Sequence, residues 1–329
     1  MSDTIRWGVV GTGSISRQIT SDFALVDGVE VVAVTSRAEA SARSFAQEFG
    51  ISNCFNDYDH MLRSAVDAIY IGTPHVTHFD YARQALELGR HVLCEKPIAL
   101  NAAQVRELSS IADQSGAFLM EAMWMKFNPL HRRLLEIVQS GAIGEVRSVR
   151  GAFGAPFPRD GSSRWKPGGS TLLDQGIYPV TLASMFLGKP TGITAHGFLR
   201  EDGVDLRENF TLHYSDGGFA QGAASMTEFL DFVASISGTR GWIALDTGFW
   251  STSRATVHRA GAGGLVEEKV ETEREGHGYV PMLRAVSTAI RNGAREHPLH
   301  TLQATEEVFE ILDEIRRQIS VGPSERLTE

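Results

Sequence analysis

Ile5-Arg6-Trp7-Gly8-Val9-Val10-Gly11-Thr12-Gly13-Ser14-Ile15-Ser16 is the stretch that decides the fold. Its first half is a short β-type run, its second half a glycine-rich turn, and a helical pattern follows through Phe23. In a dinucleotide fold this junction needs glycines for a tight turn and for close backbone approach to a pyrophosphate at the helix N-terminus. Ser16 stands at the third position of G-x-G-x-x-G, where a serine is small enough for close helix packing. Gly11, Thr12, Gly13, Ser14 and Ile15 are therefore candidate cofactor-binding residues. A plain strand–helix turn is the alternative.

Working outward, Val29–Thr35 is a second, almost continuously β-branched strand that ends in Ser36-Arg37. An NAD-preferring fold commonly places an acid there for the ribose 2′-OH; a serine and an arginine suit a 2′-phosphate instead. The reading favours NADP(H), with NAD(H) second, and the alternative for Arg37 is a solvated residue at a helix start. Helix-type stretches over Ala38–Phe49, Asp57–Arg63 and Ala102–Ser115 alternate with strand-type runs at Ala68–Gly72, His91–Cys94 and Phe118–Glu121. Such alternation predicts a doubly wound parallel sheet, a Rossmann domain over residues 1–122.

The pattern changes after Glu121. A long amphipathic helix (Asn128–Ser140), a strand from Val146 to Phe153, a Gly/Pro/aromatic loop and a helix from Ser170 to about Leu187 lead into strand after strand from Gly192 to Glu271. Helices at Tyr279–Arg291 and Leu302–Ile319 close the chain. This predicts an α+β domain, residues 123–329, with a large, predominantly antiparallel open sheet.

With 329 residues and a formal net charge of −9, the chain is long enough for two cores and unsuited to general binding of nucleic acid or anionic membranes. Its two cysteines, Cys54 and Cys94, have no metal-ligand spacing and read as small apolar residues. Met1-Ser2-Asp3-Thr4 lacks a basic, then apolar leader, and no apolar run is long enough to span a bilayer, so a cytoplasmic protein is expected.

Two places carry chemistry. Pro97 must end the His91–Cys94 strand, which leaves Lys96 at a strand's carboxyl end, where open α/β sheets bind ligands. Within Gly169-Ser170-Thr171-Leu172-Leu173-Asp174-Gln175-Gly176-Ile177-Tyr178-Pro179, Asp174 and Tyr178 are spaced to share a helix face. A phenol with its usual pKa of about 10 is a poor base at neutral pH. A nearby lysine cation lowers that value and lets tyrosine take the proton of an alcohol being oxidised. The competing readings are a core tyrosine, an aspartate favoured by its helix dipole and a solvated lysine.

These residues give a resemblance to the Gfo/Idh/MocA oxidoreductases, carried by Gly11-Thr12-Gly13, Thr73-Pro74-His75, Glu95-Lys96-Pro97 and Asp174 with Tyr178. Glu121 through Pro129 and Leu173 through Pro179 look most like the branch of dimeric dihydrodiol dehydrogenase and D-xylose 1-dehydrogenase. The resemblance implies Tyr178 as acid/base, Lys96 supporting proton transfer and Asp174 orienting substrate or Tyr178. It places Ser36, Arg37, Thr73, Pro74, His75, His78, Glu95, Lys96 and Pro97 around the cofactor, with His75 where relatives often have asparagine and with a structural role as the preferred reading of His78. Trp124, Phe153 and Trp165 would line the substrate pocket together with Asp174 and Tyr178. It further implies a metal-free, NADP(H)-dependent oxidoreductase acting on a CH–OH carbon of a sugar, cyclic polyol or trans-dihydrodiol. A homodimer or higher homo-oligomer through the open sheet is expected. A non-catalytic dinucleotide-binding regulator is the alternative.

Overall fold

A computed structural model of the protein describes residues 4–159 and 161–320. Met1, Ser2 and Asp3, on which the leader reading rests, lie outside the described residues. The chain folds as two compact units: the residues up to Phe127 with Arg274–Glu306, and Asn128–Glu273 with the residues from Glu307 on.

The first unit contains, in order, β1 (Ile5–Val10), α1 (Ser14–Phe23), β2 (Val29–Thr35), α2 (Glu39–Phe49), β3 (Asn53–Phe55), α3 (Tyr58–Leu62), β4 (Ala68–Ile71), α4 (His78–Glu87), β5 (His91–Cys94), α5 (Ala102–Ser115) and β6 (Leu119–Glu121). The strands form a six-stranded sheet in the order β3-β2-β1-β4-β5-β6, every pairing parallel. Helices cover such a sheet on both faces, so its central strands are apolar throughout rather than alternating. All four residues of β4 are buried, as are Trp7, Val9 and Val10 of β1. The strand order reverses between β1 and β4, and the crevice at that reversal, outside the carboxyl ends of the strands, is where such sheets take ligands.

Two details depart from the sequence reading. The edge strand β3 was not anticipated; with three residues it carries no period that could be read. Its middle residue, Cys54, is exposed, whereas Cys94 in β5 is buried as expected. The edge position accounts for the difference, since β3 pairs on one side only.

The expected division at residues 122 and 123 took everything beyond it as one domain. The contacts instead group residues 274–306 with the first unit. A buried carboxylate explains the return: Asp22, at the end of α1, accepts the backbone N–H of His277 at 2.8 Å and of Tyr279 at 2.9 Å. Tyr279 is buried, so its amide would otherwise lack a partner.

The second unit contains α6 (Pro129–Gln139), β7 (Val146–Gly154), α7 (Ile177–Leu187), β8 (Gly192–Leu199), β9 (Asp205–His213), β10 (Phe219–Ser225), β11 (Ala234–Gly238), β12 (Gly241–Leu245), β13 (Arg254–Gly261) and β14 (Gly264–Glu271). The last two helices of the chain are α8 (Val280–Arg291) and α9 (Leu302–Ser320). The strands form an eight-stranded sheet in the order β14-β13-β12-β11-β7-β10-β9-β8. Only the β7–β10 pairing is parallel. The predicted alternation is clear in β9, where Leu206, Phe210 and Leu212 are buried and Asn209 and His213 are exposed. α7 packs on the buried face, against β7 and β10.

Asp22→Leu should leave the Tyr279 amide buried without an acceptor and the His277 amide to solvent. The expected result, read by urea denaturation, is a loss of roughly 2–4 kcal/mol of stability; an unchanged midpoint would show that the return segment is held by other contacts.

Candidate active site

The candidate side chains fall into two sets, one on each unit. On the first unit, the β1–α1 turn is fixed by sterics. Gly11 has φ +97°, and a Cβ there would lie 2.7 Å from the carbonyl oxygen of Gly72. Gly72 in turn has no room for a side chain, because its Cβ would lie 2.4 Å from Ser16 Oγ. Ser16 is fully buried and donates to the Gly72 carbonyl at 3.2 Å, so it fills the third motif position with a bond as well as with a small volume.

α1 then begins with Gly13 as its N-cap, no side chain capping it and no acid in its first turn. Gly13, Ser14 and Ile15 are exposed, and the space beside Gly13 is open to 4 Å. Uncapped N–H groups beside open space suit a phosphate. These residues therefore fit a dinucleotide: Gly11 to Ile15 would hold its pyrophosphate. Ser36 and Arg37 follow β2 at the neighbouring strand end. Arg37 is exposed and makes no ion pair among the described residues.

Thr73 and the exposed Pro74 lead from β4 into a 3₁₀ turn, His75–Thr77, that is closed by a 2.8 Å contact between the hydroxyls of Thr73 and Thr77. His78 is buried rather than open to a ligand. Its Nδ1 lies 2.7 Å from the Pro97 carbonyl and its Nε2 2.7 Å from the Thr73 carbonyl. Two acceptors favour the imidazolium, but burial is the larger influence and lowers the pKa to about 4. At neutral pH the ring carries one proton, which it donates to Pro97 in one tautomer and to Thr73 in the other.

β5 delivers Glu95, Lys96 and Pro97. Glu95 is buried, accepts from the Tyr70 hydroxyl at 3.1 Å, and is pushed by burial to a pKa of about 7, against the pull of the Lys96 cation. Lys96 is half-buried, and the Lys96–Pro97 peptide is cis. Trp124 is nearly buried, with Tyr279 packed on it at a ring distance of 4.9 Å.

On the second unit, Ser170 caps its helix as expected, accepting from the Leu173 N–H at 3.1 Å. The helix itself is not regular. Leu172–Gly176 is a π turn, and α7 starts only at Ile177. Asp174 lies in the wide turn and Tyr178 in the α-helix, so the four-residue spacing assumed from the sequence crosses a change of helical pitch. The turn is anchored by Asp205, whose side chain accepts the Leu172 N–H at 2.6 Å and whose carbonyl accepts the Thr171 hydroxyl at 2.8 Å.

Tyr178 is 4% exposed and sits among aromatic rings. Phe153 is 5.9 Å away and Trp250 5.8 Å, and those two rings stack on each other at 3.8 Å, nearly parallel. Phe232 meets both edge-on at 5.6 Å. Of the aromatics expected to line a pocket, Phe153 thus lies beside Tyr178. Trp165 packs with Phe157 against Val204, Leu206 and Met226. Trp250 and Phe232 were not anticipated, and neither was Arg164, whose Nε donates to Asp174 Oδ2 at 2.7 Å. Nothing in the local sequence of these three marks them; only the fold brings them to Tyr178 and Asp174.

The family model for Gfo/Idh/MocA oxidoreductases with an NAD-binding Rossmann fold matches residues 5–123, and the C-terminal domain model of the same family matches residues 131–244. The chain is 33% identical to trans-1,2-dihydrobenzene-1,2-diol dehydrogenase of Xenopus laevis, over 96% of this chain and 98% of that protein. It is 34% identical to the Homo sapiens protein of the same name, over 96% and 97%. Among solved structures, a 3-ketoreductase from Actinomadura kijaniata in complex with NADP and TDP-benzene superposes with a TM-score of 0.86 at 27% identity, over 96% of this chain and 98% of that one.

Gly11→Ala should disturb the cradle, because its Cβ meets the Gly72 backbone and its φ is strained for alanine, a penalty of about 1–3 kcal/mol. The expected result is a folded protein that binds reduced nicotinamide dinucleotide roughly tenfold or more weakly, followed by cofactor fluorescence. Unchanged binding would remove this turn from the cofactor site.

Proposed function

The chain belongs to the Gfo/Idh/MocA family of NAD(P)-binding oxidoreductases, and from that membership we propose that it is an NADP(H)-dependent dehydrogenase or reductase acting on a CH–OH carbon. The substrate class is a sugar, a cyclic polyol or a trans-dihydrodiol. Bound at the β1–α1 turn, the cofactor supplies or takes a hydride at C4 of its nicotinamide.

The observation that carries this reading is the setting of Tyr178. It is a nearly buried phenol between the stacked Phe153–Trp250 pair and the π turn that bears Asp174. Flat ring faces suit the C–H face of a sugar or cyclic diol and exclude water from the reacting carbon. Tyr178 takes the hydroxyl proton in oxidation and returns it in reduction. Lys96 binds the substrate hydroxyl and supports that proton transfer. Asp174, held by Arg164, orients substrate or Tyr178.

Preference for NADP(H) rests on Ser36 and on Arg37, an exposed guanidinium at the β2 end in place of an acid. A dihydrodiol is the substrate named for the relatives at 33–34% identity, and the 3-ketoreductase in complex with NADP is a precedent for the cofactor. The proposed assembly is a homodimer or higher homo-oligomer through the large sheet, whose β12–β13 region exposes Trp242 stacked on His258.

A panel of aldoses, anhydro-sugars, inositols and trans-dihydrodiols, run with NADP⁺ and NAD⁺ in parallel, tests the reading by absorbance of the reduced nicotinamide. Lys96→Met is expected to lose at least about a hundredfold in kcat while still binding NADPH, and normal turnover by that variant would sink the mechanism. Arg37→Ala should raise KM for NADP⁺ by about 10–100-fold with little effect on NAD⁺. Silence across the panel alongside tight NADPH binding would instead mark a non-catalytic regulator.

A further inference from the structure

A single peptide group, the one joining Pro97 to Ile98, is gripped at both ends by buried side chains that the mechanism above does not use. Its N–H donates to Glu121 Oε1 at 3.1 Å, and its carbonyl faces His78 Nδ1 at 2.7 Å. Glu121 and His78 are each 1% exposed. The grip continues inward. Glu121 Oε2 lies 3.0 Å from His300 Nε2, and His300 Nδ1 lies 3.2 Å from Lys126 Nζ. An ammonium can only donate, so Lys126 fixes Nδ1 as the acceptor. Burial, then the Lys126 charge, hold His300 below its usual pKa and hence neutral. Its one proton is therefore on Nε2, directed at Glu121. All these residues belong to the first unit.

We propose that Glu121, oriented by His300 and Lys126, and His78 are positioning residues that set where Lys96 stands. The argument is geometric and rests on the reading of Lys96 as catalytic. A peptide group is planar, so holding its C=O and N–H fixes the plane. The proline ring fixes φ of Pro97. Between the held plane and the Lys96 Cα, ψ of Pro97 is the one soft torsion left. On the other side of Lys96, the Glu95 N–H is bonded to the Ile71 carbonyl at 2.9 Å and the Glu95 side chain to Tyr70. The lysine stem thus starts from a point fixed on both sides, on the end of a buried strand. A fully buried carboxylate would be replaceable by a hydrocarbon if it served packing alone. Here it holds the one N–H that follows Pro97.

The test uses the whole chain and five variants. Glu121→Leu removes the acceptor. His300→Leu breaks its support, whereas His300→Gln can still accept from Lys126 and donate to Glu121. Amide exchange at Ile98, resolved by NMR, reads the grip without reference to activity. Expected in Glu121→Leu is faster exchange at Ile98 by about tenfold or more and a loss of about 30-fold in kcat with KM and the Kd for NADPH each within about threefold. His300→Leu should follow in the same direction, and His300→Gln should stay near wild type. On a Lys96→Met background, Glu121→Leu should cost less than about threefold further, because residues acting through one group are not additive.

Unchanged Ile98 exchange in Glu121→Leu would overturn the grip. Faster exchange with unchanged kcat, or an equal loss on the Lys96→Met background, would overturn its action through Lys96. If Lys96→Met itself turns over normally, the catalytic reading of Lys96 fails, and with it the positioning role, while the exchange result still decides whether the grip exists. Should Glu121→Leu not fold, the His300 pair carries the same comparison.

Discussion

The close approach of Gly11 to the Gly72 carbonyl is the constraint from which the first unit's binding side follows. Two adjacent parallel strands, β1 and β4, end at the same level, and their exits must pass each other with no side chain between them. Gly11 takes a positive φ to turn away, Gly72 stays bare, and Ser16 closes the gap with a hydrogen bond. The start of α1 is thereby pressed against the strand ends with its N–H groups uncovered. A larger residue at any of these three places would push the helix off the sheet and remove the anion site with it. The proposed preference for NADP(H) rests separately on the next strand end, where an arginine stands in place of an acid.

How much of this was legible in the sequence depends on the range of the interactions involved. The β1–α1 junction, the alternating strands and the Ser170 cap are local, and a reading of period, glycines and capping residues recovers them. The position of Lys96 just past the end of β5 was legible for a related reason, since a proline ends a strand wherever the strand is. Elements too short to show a period were not: β3 has three residues, and Cys54 was misplaced with it. The π turn was equally hidden, because the residues of Leu172–Gly176 would also suit an ordinary helix. What widens the turn is tertiary, with Asp205 of β9 taking the Leu172 N–H.

Long-range partners were the least legible. Arg164, Trp250 and Phe232 meet Asp174 and Phe153 through the loop and strand connections of the second unit. His300 reaches Glu121 across 179 positions of sequence. Asp22 looked like one more polar residue at a helix end, yet it is 1% exposed and binds the backbone of a segment more than 250 residues away. A sequence reading weights polar residues toward the surface, so buried polar side chains that serve the main chain are the kind it passes over.

Those buried polar groups share a physical logic. Each of Asp22, His78 and Glu121 satisfies backbone groups at a place where the chain is neither helix nor strand. Regular elements pair their own N–H and C=O groups; irregular buried backbone cannot, and an orphaned group is expensive. The turn after β4 and the Glu95-Lys96-Pro97 exit from β5, where the proposed function places cofactor and catalytic residues, are irregular because the chain leaves the sheet there. Their rigidity has to come from side chains. Burying a charged or titratable group for that purpose is unfavourable in itself, as the raised pKa of Glu95 and the lowered pKa values of His78 and His300 record. That penalty is sustained where the backbone it holds must not move, which is why buried titratable groups crowd around Lys96.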